Sequence, residues 1–213
     1  DWEKLTERIG YWVDLDTAYV TYKDEYIESS WAILKNFFER GLLYQGFKVV
    51  PYCPRCGTPL ADHEVAQGYK DTDDPSIYIR FKLEGSEDTS FLVWTTTPWT
   101  LTANVAIVAH PDVDYVKIER TVHHHDADGE CRECTEKLIL AEPLLAKVFG
   151  DEEVKIIERV KGRDLAGIRY TPLFDFVKPD RPGHFVILGE YVTTEDGTGL
   201  VHTAPAFGAE DME

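Results

Sequence analysis

From about residue 76 onward the chain is a succession of short β-segments, and no other feature constrains its fold as much. Residues 76–83 alternate, with Ile77, Ile79, Phe81 and Leu83 on one face of a strand. Residues 90–94, 104–109 and 114–119 follow the same habit, 137–141, 154–160, 184–188 and 199–201 read as further strands, and a short helix over 143–149 is closed by Gly150. Many short strands with few helices predict an α+β protein with a closed or nearly closed, β-barrel-like core and peripheral helices. A helical segment precedes it. The spacing of Ile27, Trp31, Leu34 and Phe38 predicts a helix over 24–40, with Asp24 as cap and Gly41 as stop. Residues 10–16 read as a loop with an aromatic anchor, residues 47–52 as a short strand, and the polar stretch 123–135 as a hairpin loop. The division expected is a flanking segment, 1–65, and a strand-rich domain, 66–213.

Length and charge narrow the functions available. The 213 residues suffice for one sizeable core, or for a domain plus a fragment of another. No apolar run approaches the ~20 residues of a membrane helix, so no membrane partner is expected. A net charge of −17 excludes a generic nucleic-acid clamp, though not a nucleic-acid end presented by other domains. The start on Asp1-Trp2-Glu3-Lys4 shows neither initiator Met nor signal-peptide pattern, and the end at Asp211-Met212-Glu213 is abrupt. Both suggest a piece of a longer chain. The four cysteines form two Cys-x-x-Cys pairs, Cys53/Cys56 and Cys131/Cys134, and without a signal sequence they read as reduced thiols or a metal site in an intracellular, cytoplasmic protein.

Two remote segments look built for one pocket. The first is Trp94-Thr95-Thr96-Thr97-Pro98-Trp99-Thr100, with Asn104 beyond it; the second runs from Gly197 through Gly199, His202, Pro205 and Gly208 to Asp211. Three threonines before a proline also suit a plain strand end, and a lone histidine is more often structural than catalytic. A threonine nucleophile is a third reading, with His202 as the general base it would need. The glycines ahead of His202 permit close backbone approach, and Pro205 and Gly208 turn the chain so that Asp211 can return toward the imidazole. An ionised Asp211 has an ammonium as its natural partner. Cys53-Pro54-Arg55-Cys56-Gly57 is half of a zinc knuckle and needs two more ligands. Cys131/Cys134 and the neighbouring His123, His124 and His125 offer candidates, but free thiols at a hairpin tip explain that pair as well.

Taken together, the threonine segment with Asn104 and the Gly197–Asp211 segment resemble the editing insertion of isoleucyl-tRNA synthetases. The resemblance extends through residues 8–14 and 52–60, hence over nearly the whole chain. The activation signatures of that family, His-Ile-Gly-His and Lys-Met-Ser-Lys-Ser, are absent, so this fragment is not expected to make aminoacyl-adenylate. The loop around 123–134 looks like an insertion. The resemblance implies that a second Cys-x-x-Cys, past residue 213, completes the knuckle; zinc on Cys53 and Cys56 is therefore an open structural possibility, and editing needs no cofactor.

What the family does follows from a limit on size discrimination. Isoleucyl-tRNA synthetases are the standard illustration: one methylene in an apolar pocket is worth only about 1–3 kcal/mol, so valine enters an isoleucine site. A second, smaller pocket then hydrolyses what fits. The resemblance implies as substrates valine on the 3′ end of tRNA(Ile) and valyl-adenylate, and as partner the remainder of the synthetase. It implies that Asp211 holds the substrate ammonium. Thr95, Thr96, Thr97, Thr100 and Asn104 would bond the ester region and terminal adenosine, with Thr95, Thr96 and Asp211 nearest the chemistry. Trp94 and His202 would wall the side-chain pocket, and His202 would set its upper size limit. The rival readings are a non-catalytic, zinc-organised tRNA-binding or scaffold module and a free-standing deacylase.

Overall fold

The computed structural model describes residues 1–125, 131–176 and 179–212. The chain divides into two compact units, Asp1–Phe47 and Lys48–Glu213, where the boundary expected from the sequence falls at 65/66.

The first unit holds helices α1 (Trp2–Arg8), which the sequence reading did not anticipate, and α2 (Asp24–Glu39). Asp24 is not the cap. It is the first helical residue, after Lys23, and with Glu25 it places negative charge in the first turn, where the helix dipole favours it. The C-terminal stop is as expected: Gly41, at φ +69°, sends its N–H to the Phe38 carbonyl while Leu42 N–H reaches the Phe37 carbonyl, both at 2.9 Å. No residue of α2 is buried, and Trp12 in the expected aromatic anchor is 96% exposed.

In the second unit, β1 (Tyr52–Cys53) and β2 (Thr58–Pro59) form a small hairpin around the cysteine turn, followed by α3 (Asp62–Ala66). The expected strand at 47–52 is reduced to β1. Then come β3 (Ile77–Lys82), β4 (Thr89–Thr95), β5 (Ala106–Ala109), β6 (Asp114–His125), β7 (Cys131–Ala141), α4 (Leu145–Phe149), β8 (Lys155–Lys161), β9 (Phe185–Leu188), β10 (Leu200–Thr203) and α5 (Ala209–Met212). Every segment read as a strand from residue 76 on is one. Strands β6 and β7 are longer than expected, because their ladder continues into the stretch read as a loop, up to the pair His125 and Cys131. Residues 126–130 and the side chains of 123–125 and 131–133 lie outside the described residues, so the role of that loop does too.

The strands make a five-stranded sheet, in the order β3-β4-β7-β6-β8, and a three-stranded sheet, β10-β5-β9. The α+β class holds. Among the described residues the barrel-like core takes the form of these open sheets and not a closed ring. One reason is local: β4 pairs with β7 over Thr89–Phe91 only, so its far end is free to diverge. The main core packs Phe81, Phe91 and Val93 of the larger sheet with Ile107, Val186 and Leu200 of the smaller. A second cluster, Leu92, Val116, Ile118, Leu138 and Leu140, lies on the other face of the larger sheet, packed by Val148 and Phe149. Burial on both faces explains why β4 and β7 carry continuous apolar runs, not alternation.

Candidate functional site: a cleft where the threonine turn meets the His202 strand

A cleft of about 450 Å³ opens where the end of β4 meets the loop entering β10. It is lined by Trp94 and the threonines 95–97 and 100 on one side, and by Gly197–His202, Ala204 and Asp211 on the other. The two segments singled out in the sequence, about a hundred residues apart, therefore share one cavity.

The threonine turn is held mostly by its own hydroxyls. Thr95 Oγ1 accepts the Thr97 N–H at 3.1 Å and lies 3.2 Å from Thr97 Oγ1; Thr100 Oγ1 donates to the Thr97 carbonyl at 2.8 Å. Thr95 and Thr100 are buried, and their hydroxyls are engaged in the turn. Thr96 is exposed in the cleft, and its hydroxyl has no hydrogen-bond partner among the described residues. Of these threonines it is the one free to meet a ligand.

The opposite wall depends on two glycines. Gly197 and Gly199 adopt φ of +76° and +71°, which L-residues with side chains rarely adopt. A Cβ on Gly199 would lie 2.4 Å from Ala141 Cβ, and one on Gly197 would lie 3.0 Å from the Trp94 ring. Beneath them the Tyr115 hydroxyl donates to the Gly199 carbonyl at 2.6 Å and accepts the His110 N–H at 3.0 Å. Burial pushes that phenol up to about 12, so it stays a donor.

Strand register brings His202 to its partners. β10 pairs antiparallel with β5, Thr203 opposite Ala106 and His202 opposite Ile107, which sets the imidazole beside Asn104. A slip of one residue would turn His202 to the other face. Asn104 Nδ2 lies 2.9 Å from the Ala106 carbonyl and 3.2 Å from His202 Nδ1, and the Tyr170 hydroxyl donates to Asn104 Oδ1 at 2.6 Å. A carbonyl only accepts, so the Ala106 oxygen assigns the amide nitrogen to that side. The same nitrogen then donates to His202 Nδ1, which leaves the proton on Nε2, 2.7 Å from Thr100 Oγ1. Both ring nitrogens are committed. Burial lowers the imidazole's pKa against the opposing pull of the Asp211 charge, so the ring is held neutral. With its lone pair on the Asn104 amide, His202 has nothing left to take a proton from a threonine, and the threonine-nucleophile reading fails on this geometry.

Asp211 stands on α5, where its Oδ2 accepts the Ala204 N–H at 2.7 Å. Oδ1 has no partner among the described residues. Gly208 allows this return of the chain, since a Cβ there would lie 3.0 Å from the Asp211 carboxyl carbon.

One candidate sits elsewhere than expected. Asn104, read as touching substrate, is buried one layer behind the cleft, and its side-chain amide is spent on Ala106, His202 and Tyr170. The sequence reading passed over Thr193, Asp196, Thr198 and Phe207, which also line the cleft. Thr198 and Phe207 stood inside the quoted segment without a role, whereas Thr193 and Asp196 lie in a polar turn with no spacing signal. Tyr170 is 66 residues from Asn104 and carried no signal at all.

The cysteine turn has the donor chemistry of half a zinc site. Cys56 N–H points at Cys53 Sγ at 3.4 Å, which lowers the Cys53 thiol pKa, and Gly57 takes a left-handed φ of +71° behind it. Two thiolates would supply two of four tetrahedral ligands. Among the described residues no group of three or more candidate ligands lies together, and Cys134 is an exposed free thiol.

A family model for class I tRNA synthetases (I, L, M and V) matches residues 1–195, and the chain belongs to that family. Within it, the chain is 50% identical over 210 residues to the isoleucine--tRNA ligase of Clostridium kluyveri, covering 99% of this chain and 19% of that protein. It is 51% identical over 218 residues to the isoleucine--tRNA ligase of Thermus thermophilus, covering 100% of this chain and 19% of that one. The chain thus spans about a fifth of these relatives' length. Among solved structures, the editing domain of the Plasmodium falciparum cytosolic leucyl-tRNA synthetase matches over 58% of this chain and 44% of that one, with 14% identity and a TM-score of 0.46. That likeness is too distant to carry the fold. No helix among the described residues is long and apolar enough to cross a membrane.

Proposed function

We propose that this chain is the editing part of an isoleucyl-tRNA synthetase, and that its cleft hydrolyses valine esterified to the 3′ end of tRNA(Ile), with valyl-adenylate as a second substrate. The observation that carries the reading is the meeting, in one cleft, of a free threonine hydroxyl at Thr96 and a carboxylate at Asp211 with an open oxygen. Asp211 would hold the α-ammonium in a charge-assisted contact. His202 and Trp94 would wall the side-chain pocket. With no base free in the imidazole, the attacking water would be positioned by the Thr96 hydroxyl, backbone groups and a ribose hydroxyl of the substrate, so the rate would rest on orientation and oxyanion stabilisation. Amino-acid activation and grip on the tRNA body would fall to the rest of the synthetase, in the cytoplasm, since a chain of charge −17 has little attraction for phosphates. Zinc on Cys53 and Cys56, completed from elsewhere in the protein, would be structural.

Deacylation of valyl-tRNA tests the assignment. Asp211→Asn keeps an acceptor for the Ala204 N–H but loses the charge, whereas Asp211→Ala loses both. Each should cost on the order of 2–5 kcal/mol in kcat/KM, as expected for an unpaired ammonium, and Thr96→Ala should lower kcat. Full deacylation by Thr96→Ala and both Asp211 variants would remove the proposal.

A further inference from the structure

Behind the cleft, residues 168–171 tie the two sheets together. Glu84 N–H reaches the Arg169 carbonyl at 3.0 Å and Thr171 N–H the Lys82 carbonyl at 2.8 Å on the side of β3, while Tyr170 N–H reaches the His184 carbonyl at 3.0 Å beside β9. Tyr170 is thereby fixed from both sides. Its ring is 2% exposed and packs edge-on against Phe81, at 5.1 Å between centroids, and against the His184 imidazole at 5.9 Å. Burial raises its phenol far above the ordinary tyrosine range, so it is present as a donor. The one hydrogen bond of that hydroxyl among the described residues goes to Asn104 Oδ1.

His184 reinforces the same residue. Its Nε2 lies 3.2 Å from the Asn104 backbone carbonyl, and it is the one non-glycine among the described residues at positive φ, +61°. A histidine in this conformation is held there by its surroundings. Two side chains from outside the cleft therefore converge on Asn104, one on its amide and one on its backbone.

We propose that Tyr170 is a positioning residue for the cleft: its hydroxyl orients the Asn104 amide, the amide selects the Nε2–H tautomer of His202, and that tautomer fixes the Thr100 hydroxyl on the Thr97 carbonyl. A phenol can donate or accept, so the Ala106 carbonyl sets which end of the amide faces it, and the Tyr170 hydroxyl, donating to Oδ1, reinforces that orientation. If Asn104 turned over, its oxygen would face the Ala106 carbonyl and the phenol would lose its acceptor. The oxygen could then accept from His202 Nδ1, and the ring could carry its proton on that nitrogen. Nε2 would become an acceptor, the Thr100 proton would leave the Thr97 carbonyl for it, and the turn that presents Thr96 would lose a tie. The ordering runs over three side-chain contacts, 2.6, 3.2 and 2.7 Å long, and ends beside the cleft without Tyr170 touching a ligand.

The test uses the ¹⁵N-labelled chain near neutral pH and Tyr170→Phe, which keeps the ring packing and removes only the hydroxyl. Two-bond proton–nitrogen correlation reads the tautomer of His202, assigned by its loss in His202→Gln. The wild-type chain should show one protonated nitrogen, Nε2, and one bare nitrogen, Nδ1. Tyr170→Phe, which keeps the Ala106 carbonyl but loses the second hold on the amide, should show a measurable Nδ1–H population beside Nε2–H. It should also lose roughly tenfold in kcat for valyl ester, with KM little changed, the size expected for one buried hydrogen bond. In an Asn104→Ala background, Tyr170→Phe should have no further effect on kcat. A single Nε2–H tautomer retained in Tyr170→Phe, or losses that multiply in the double variant, overturns the proposal. The kinetic readout rests on the editing function proposed above; the nitrogen spectrum does not. A wild-type chain inactive on valyl ester thus sinks the editing function and leaves the tautomer to decide the role of Tyr170.

Discussion

Truncating His202 to alanine should do two separable things. The ring is 8% exposed and makes two side-chain hydrogen bonds. Without it Thr100 keeps its bond to the Thr97 carbonyl, but one Asn104 amide hydrogen loses its acceptor, at a cost of about 1–3 kcal/mol. Removing roughly 60 Å³ of ring adds a cavity term of about 1.5 kcal/mol at ~24 cal/mol per Å³. The ring borders the cleft, so water can enter and relieve part of both, leaving a net loss of about 2–3 kcal/mol. In urea unfolding followed by tryptophan fluorescence, that is a midpoint lower by about 1–1.5 M for a slope near ~2 kcal/mol/M. The second effect is on specificity. The space vacated exceeds one methylene, so isoleucyl-tRNA should become a substrate and the preference for valyl ester should shrink by about 1–3 kcal/mol, or 5- to 150-fold. A variant with the parent's urea midpoint that still leaves isoleucyl ester untouched would refute both the pinned imidazole and its role as a size wall.

Two further outcomes follow from the same geometry. Gly199→Ala should lose about 2–4 kcal/mol, from the left-handed φ together with overpacking against Ala141; a loss under ~1 kcal/mol in the same urea assay would mean that the β10 entry loop can shift away. Stability should also depend on His202 protonation. The folded pKa lies below that of the unfolded imidazole, about 6.5, so its contribution is full above that pH and is lost as pH falls through the folded value. The parent should therefore lose stability on acidification more steeply than His202→Gln, and equal slopes in the two would show that the ring does not titrate with unfolding.

The contrast between what the residues announce and what the fold adds is plain in particular elements. Strand β3 was legible because one of its faces meets solvent and alternation survives, and the end of α2 because only glycine sits easily at Gly41. The extension of β6 and β7 was not, because a long polar hairpin carries no apolar pattern to mark its pairing. Helix α1 is short and buries none of its residues, and its N-cap, Asp1, makes no side-chain cap bond, so packing adds nothing to the weak signal of a single aspartate.

The site divides along the same line. The order of residues by itself determined which chemistry was at hand: threonine hydroxyls before a proline, a histidine after two glycines, and a carboxylate behind a turn. Local spacing suffices for that, since each group sits within a few residues of the feature that bends or frees the backbone around it. Only the tertiary structure decided which of them are available. The pairing of β10 with β5 turns His202 onto Asn104, Ala106 and Tyr170 fix that amide, and the imidazole becomes a neutral strut with no lone pair to spare, while Thr96 alone among the turn's hydroxyls is left open. The bond from Asn104 to Ala106 is local, but the bonds that commit the imidazole and hold the amide oxygen come from 66 to 102 residues away, and no short window of sequence contains both halves of those.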